Sequence, residues 1–204
     1  MSRIERQYQN LLDKHGEPLG QWRLWCKRPK NEEEKQEVMI GAVLTQNTNW
    51  NNAEQAISNL KAGQLCNLKS ICQKDKKVIS ELIRPSRFYK QKTDYLCNLS
   101  EFVLENKGIK ELKKRPQKEL RKKLLSVKGL GKETADSILL YALEKPVFVI
   151  DAYTKRFVKR KGLAKNLSYN HLQNYFEQRL PKDYALFQDF HALIVIEEQT
   201  EQKN

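Results

Sequence analysis

Long apolar runs are missing from this 204-residue chain, and no stretch approaches the ~20 residues that a membrane-crossing helix needs. The opening residues, MSRIERQYQN, carry no apolar segment of the kind that directs export. No membrane partner is therefore expected, and the expected location is the cytoplasm, or the nucleoid in a prokaryote. Cysteine is scarce. Cys26, Cys66, Cys72 and Cys97 fit no zinc-site spacing, and a chain of this length can bury enough core to do without disulfide staples. Reduced thiols and no metal are the expectation. Alternating apolar and polar residues, internal repeats and low-complexity tracts are also lacking, which argues against a sheet and against a solenoid.

Acid is short relative to base. Lys and Arg number 38 against 25 Asp and Glu, giving +13. The excess is local: residues 107–133 hold eleven basic and three acidic side chains, and residues 152–165 hold six basic and no acidic ones. The remainder is close to neutral. Such clustering is the footprint of a polyanionic partner rather than of general solubility.

Helical spacing dominates what remains. Ile4, Tyr8, Leu11 and Leu12 share a face before Gly16 and Pro18. An aromatic, polar stretch follows, with Trp22 and Trp25 either capping a core or offering a base-stacking wall. Val38, Met39, Ala42 and Val43 predict one helix, and Ala53, Ala56, Ile57 and Leu60 another. Between them lies the polar run Thr45-Gln46-Asn47-Thr48-Asn49-Trp50, which packing alone does not require. Further helices are predicted around Val78–Ile83, Phe88–Glu105, Leu120–Leu125, Ile138–Ala142, Tyr153–Val158, Leu172–Leu180 and Tyr184–Val195. Pro146 interrupts the pattern, and Val147-Phe148-Val149-Ile150 reads as a buried connector rather than a strand. The expected fold class is all-α, with two helical lobes.

The chain's organising stretch is residues 124–156, LLSVKGLGKETADSILLYALEKPVFVIDAYTKR. Val127-Lys128-Gly129-Leu130-Gly131-Lys132 separates two helical patterns. Glycines there permit positive φ and close approach of the backbone, and the following helix start would present N–H groups to a phosphate. Lys128 and Lys132 add charge. About fifteen residues on, Asp151 suits a helix N-cap, because its side chain can accept from unsatisfied backbone N–H groups.

At this point the sequence resembles the endonuclease III superfamily of DNA glycosylases. Residues 125–136 with Val147-Phe148-Val149-Ile150-Asp151 look like its helix-hairpin-helix and catalytic aspartate. Residues 41–48 (GAVLTQNT), 82–92 (LIRPSRFYKQK) and 191–195 (HALIV) look like further family blocks in the family's order. The resemblance lies nearest the 3-methyladenine DNA glycosylase subgroup. It implies an HhH-GPD fold with a six-helix barrel lobe over residues 37–144 and a second lobe from residues 1–36 and 145–204. DNA would bind across the cleft, with Asp151 between the lobes.

The resemblance also implies roles. Asp151 would be catalytic. Lys128, Gly129, Gly131, Lys132 and Tyr153 would hold the DNA backbone, and Gln46 would enter the space left by a flipped base. Trp22, Trp25, Trp50 and Glu133 would line the base pocket. Asp136 sits on the second hairpin helix with no assigned chemistry. Two departures matter. Bifunctional members carry a lysine where this chain has Glu133; Lys132, one residue earlier, lies about 100° around the helix. That predicts base release without strand cleavage. Cys97 is the last cysteine, so no iron–sulfur cluster and no other cofactor is expected. The expected partner is duplex DNA with a damaged base, bound by a monomer. The competing readings are a bifunctional glycosylase/lyase acting on oxidised pyrimidines and a non-catalytic helix-hairpin-helix DNA-binding module.

Overall fold

The computed structural model describes residues 2–202. Among them the regular structure is entirely helical, with no strand. The α-helices are α1 (Arg3–His15), α2 (Trp22–Trp25), α3 (Glu32–Leu44), α4 (Trp50–Ala62), α5 (Leu68–Gln73), α6 (Lys76–Leu82), α7 (Tyr89–Glu105), α8 (Ile109–Lys114), α9 (Gln117–Ser126), α10 (Lys132–Ser137), α11 (Ala152–Arg160), α12 (Tyr169–Glu177) and α13 (Tyr184–Glu201). A 3₁₀ turn, Arg84–Ser86, precedes α7, and a π-helical turn, Ile138–Ala142, continues α10.

The chain divides into two compact units: Pro29–Leu143, and the residues up to Arg28 together with those from Glu144 onward. A boundary at residue 37 would cut α3, which is one continuous helix starting at Glu32. Asn31 sets that start. Its side chain accepts from the Glu34 N–H at 2.8 Å while the Glu34 carboxylate accepts from the Asn31 N–H at 2.9 Å, a reciprocal capping box. Glu32, Glu33 and Glu34 then place negative charge at the positive end of the helix dipole.

In the Pro29–Leu143 unit α3 is central. Every residue from Val38 to Leu44 is buried, so its second half has no solvent face. It packs on α4, α7, α10 and the π-helical turn, whose five residues are also fully buried. The widened turn closes with the Leu143 N–H donating to the Ile138 carbonyl at 3.0 Å. Against expectation, Val78 points outward from α6 at 40% exposure, and Ile79 alone of that helix is buried.

The other unit is built on α13, against which α1 and α11 pack. Its core is aromatic: Phe148 stacks on Phe176 with centroids 4.0 Å apart, and Phe187 and Phe190 meet Phe148 edge-on. Residues 147–150 are buried but form no sheet. In place of a ladder, α12 pairs Phe148: its N–H donates to Glu177 Oε1 and its carbonyl accepts from Gln173 Nε2, both at 2.9 Å. Two consecutive buried acids of α13, Glu197 and Glu198, are answered by Lys14, His15 and Arg160.

Candidate catalytic carboxylate and nucleic-acid interface

Asp151 ends the buried connector and caps α11. Its Oδ1 accepts from the Thr154 N–H at 2.7 Å. Oδ2 lies 3.5 Å from His191 Nε2 on α13. Burial pushes the carboxyl pKa up, but the His191 imidazole and the Thr154 N–H more than offset that, and the pKa falls below the usual aspartate range. The carboxylate is therefore an ionised group in a largely dry setting, its side chain 14% exposed. A negative charge so placed can stabilise positive charge developing beside it far better than one in bulk water.

The surroundings of His191 are indole rings. Trp22 meets His191 edge-on at 5.7 Å and Trp25 at 6.0 Å, and both tryptophans are under 10% exposed. Trp22 and Trp25 thus belong to the packed aromatic layer behind the carboxylate. Tyr153, half-buried in the first turn of α11, carries the Arg156 guanidinium 4.4 Å above its ring. Trp50 is half-buried at the start of α4.

The hairpin joins α9 to α10. Its turn closes with the Leu130 N–H donating to the Val127 carbonyl, and the Ala135 N–H to the Gly131 carbonyl begins the next helix. The two glycines serve different ends. Gly129 has φ +100°, and a Cβ there would lie 2.0 Å from Tyr95 Cδ1, so both backbone and packing demand glycine. Gly131 has ordinary φ, −81°, and caps α10 with no side chain. A Cβ there would meet nothing within 4 Å. It leaves the start of α10 uncovered by a side chain. The expectation of positive φ holds for Gly129 and not for Gly131.

Side chains brace this turn from below. Asn98 Nδ2 donates to the Lys128 carbonyl at 2.9 Å. Gln46 Nε2 donates to the Gly129 carbonyl at 3.1 Å and to Thr134 Oγ1 at 2.9 Å. Asp136, fully buried, takes both Nε and Nη2 of Arg121 and so rivets α10 to α9. In front of the turn is a depression of about 330 Å³ lined by Gln46, Asn47, Phe88, Lys92, Gly129 and Glu133, among others. Glu133 faces it. Lys132 is exposed and is not part of that lining.

Residues 40–182 match the HhH-GPD superfamily of base excision DNA repair proteins. The chain belongs to that superfamily. This HhH-GPD protein is 47% identical over 167 residues to a Methanocaldococcus jannaschii protein named as a DNA repair glycosylase, covering 80% of this chain and 76% of the relative. Endonuclease III of Thermotoga maritima is 25% identical over 157 residues, 76% of this chain and 70% of the relative. Among solved structures, the 3-methyladenine DNA glycosylase MagIII of H. pylori, bound to 1,N6-ethenoadenine, superposes with TM-score 0.79 at 31% identity, covering 98% and 97% of the two chains. An endonuclease III–DNA complex gives TM-score 0.73 at 16% identity, with 95% and 84% coverage, and attests the fold alone. The HhH-GPD protein is thus an all-α member of a family of DNA repair glycosylases.

The sequence marked His191 only as the start of the HALIV block; its partnership with Asp151 spans forty residues and two helices. Nor did the sequence single out Phe88, 60% exposed with φ +45°, or Lys92, buried to 2% exposure. A large apolar residue directly after a Pro-Ser-Arg turn was the available signal for Phe88. Among the described residues no three His, Cys, Asp or Glu side chains gather as metal ligands, and no helix is long and apolar enough to cross a membrane.

Proposed function

We propose that this protein is a monofunctional DNA glycosylase that flips an alkylated base out of duplex DNA and hydrolyses its N-glycosidic bond. The observation that carries the reading is Asp151: ionised, largely dry, fixed on one oxygen by a helix N–H and facing an imidazole with the other. As the C1′–N bond breaks, its electron pair leaves with the base and the deoxyribose gains oxocarbenium character. Asp151 stabilises that charge and orients the water that attacks C1′, whose proton passes to the carboxylate or to solvent. Gln46 gives up its bonds to the Gly129 carbonyl and Thr134 hydroxyl to fill the gap in the stack, and flipping costs a few kcal/mol that a damaged base reduces.

Lys128, Gly129, Gly131 and Lys132 hold backbone phosphates at the start of α10, and Tyr153 holds another. Trp50 and Glu133 shape the base pocket, while Trp22 and Trp25, proposed from the sequence as pocket walls, back the Asp151–His191 pair. A cationic alkylated purine stacks well on indole and is already a good leaving group, so little acid catalysis is needed. Similarity to the H. pylori 3-methyladenine glycosylase over nearly the whole chain supports this substrate class. Glu133 supports hydrolysis without strand cleavage, since a carboxylate cannot form a Schiff base with the sugar. The enzyme works as a monomer, without an iron–sulfur cluster, in the cytoplasm.

The test is a set of duplexes, each with one lesion (3-methyladenine, 7-methylguanine, hypoxanthine, uracil or thymine glycol), assayed for released base with and without later alkaline cleavage. Release of methylated purines, with strand breaks only after alkali, is expected. Borohydride trapping on an abasic-site duplex gives no adduct if the enzyme is monofunctional; a strong adduct overturns that part of the reading.

A further inference from the structure

Lys92, on α7, is a buried cation whose hydrogen-bond partners are uncharged carbonyls. Its Nζ donates to the Leu44 carbonyl at 2.7 Å and to the Ser86 carbonyl at 2.6 Å. Burial pushes its ammonium down to about 8. A lysine satisfied only by backbone carbonyls is costly to bury compared with an apolar residue of the same length. Packing alone gives no reason to keep the charge.

The two carbonyls end two different segments. Leu44 is the last residue of α3 and leads into Thr45, Gln46 and Asn47; Ser86 ends the 3₁₀ turn and leads into Arg87 and Phe88. Both segments depart through left-handed backbone: Asn47 has φ +49°, Arg87 +58° and Phe88 +45°. Two successive non-glycine residues in that region, one of them aromatic, store strain that the surroundings must hold in place. What the strain achieves is visible. It puts Phe88 out at 60% exposure on the rim of the depression that Gln46 and Asn47 also line.

We infer that Lys92 is a positioning residue whose ammonium clamps these two segments, so that Gln46 and Phe88 keep a fixed spacing for entering the base stack of duplex DNA. An exposed planar apolar side chain suits insertion between base steps, and an amide beside it can replace the hydrogen bonds of a departed base. The inference takes its partner from the glycosylase reading but not from the chemistry at Asp151.

The experiment uses protein carrying Asp151→Asn, which separates base unstacking from base release. Fluorescence of 2-aminopurine in a duplex reports unstacking, and titration of the same duplex gives affinity. Lys92→Met, which keeps length and packing but removes the charge, is expected to cut the unstacking amplitude severalfold while affinity holds nearly constant. Phe88→Ala should do the same, and the double variant should be no worse than either, because both changes disable one device. Lys92→Arg should recover a large part of the signal. Lys92→Gln, which retains a donor for the carbonyls, carries the same test should Lys92→Met not fold. Undiminished unstacking in a folded Lys92 variant, losses that multiply with Phe88→Ala, or an equal fall in affinity and unstacking would each overturn the inference. Failure of wild-type protein to release any base would sink the glycosylase reading instead, and leaves this measurement standing.

Discussion

The corner at Asp151 and the hairpin at Gly129 are built on opposite principles. Asp151 sits largely dry, and its partners are specific groups: one backbone N–H, one imidazole, and two buried indole rings behind the imidazole. The hairpin is open, and what it offers is backbone geometry with lysines around it. On the proposed function, the difference follows from the electrostatics that each task would require. A charge that must act on a transient cation gains from a low dielectric and loses if water competes. A surface that grips phosphates gains from released counterions and tolerates water. On that proposal, burial concentrates the chemistry in one region, while exposure keeps the other accessible to a large ligand.

The largest expected effect breaks the buried side of this contrast. Asp151→Asn keeps the acceptor for the Thr154 N–H but removes the charge. Single-turnover base release should fall by about a hundredfold or more while duplex affinity is retained. Wild-type rates in that variant would remove Asp151 from the mechanism.

On the hairpin side, Gly129→Ala sets a Cβ against the Tyr95 ring at a φ that alanine resists, costing about 2–4 kcal/mol of stability and weakening DNA binding. Gly131→Ala has space and an ordinary φ, so denaturant unfolding should barely move while duplex affinity drops. Equal unfolding midpoints for the two variants would deny them separate roles. Arg121→Met probes the same region from beneath. It strands the fully buried Asp136 without its bidentate partner, and a loss of about 3 kcal/mol is expected from thermal or denaturant unfolding.

A pH effect is expected from the ion cluster on α13. Burial alone would raise the Glu197 pKa, but hydrogen bonds from Lys14, His15 and Arg160 bring it to about 2. Its folded value lies below the ordinary 4.5, so its stabilising contribution is complete above 4.5 and drains as pH falls toward 2. Denaturant unfolding across that window should show a steeper decline for wild type than for Glu197→Gln. The smallest effect belongs to the exposed lysines. Replacing Lys128 or Lys132 with Gln should reduce the slope of log affinity against log salt by about 0.9 each, with little change in base release at saturating enzyme.

Much of the fold was legible because the residues that decide it are neighbours in sequence. Apolar spacing marks α3, α4, α7 and α13. The capping preference of Asp151 is local, and so is the Gly129–Gly131 turn between two helical patterns. The helical run stops at Ala142, ahead of Pro146, and no strand follows; Phe148 is paired by Glu177 and Gln173 rather than by another extended segment. The charge map, too, needed only composition along the chain. Where the local pattern and the structure differ, the setting decides: Gly131 lacks positive φ because it is the extended N-cap of α10, and Val78 is outside because α6 buries only Ile79.

Composition and pattern by themselves determined an all-α protein with a basic hairpin and a lone carboxylate at a helix cap, and through the motifs a resemblance to DNA glycosylases. Only the tertiary structure decided what surrounds those groups. His191 faces Asp151, Tyr95 forbids a side chain at residue 129, Gln46 holds the hairpin, and Lys92 joins the segments bearing Gln46 and Phe88. Each of these contacts spans from six to 83 residues along the chain. Helical periodicity states which face is buried, but the partner across that face is chosen by packing, and a pKa or a strained φ is settled only when the partner is in place.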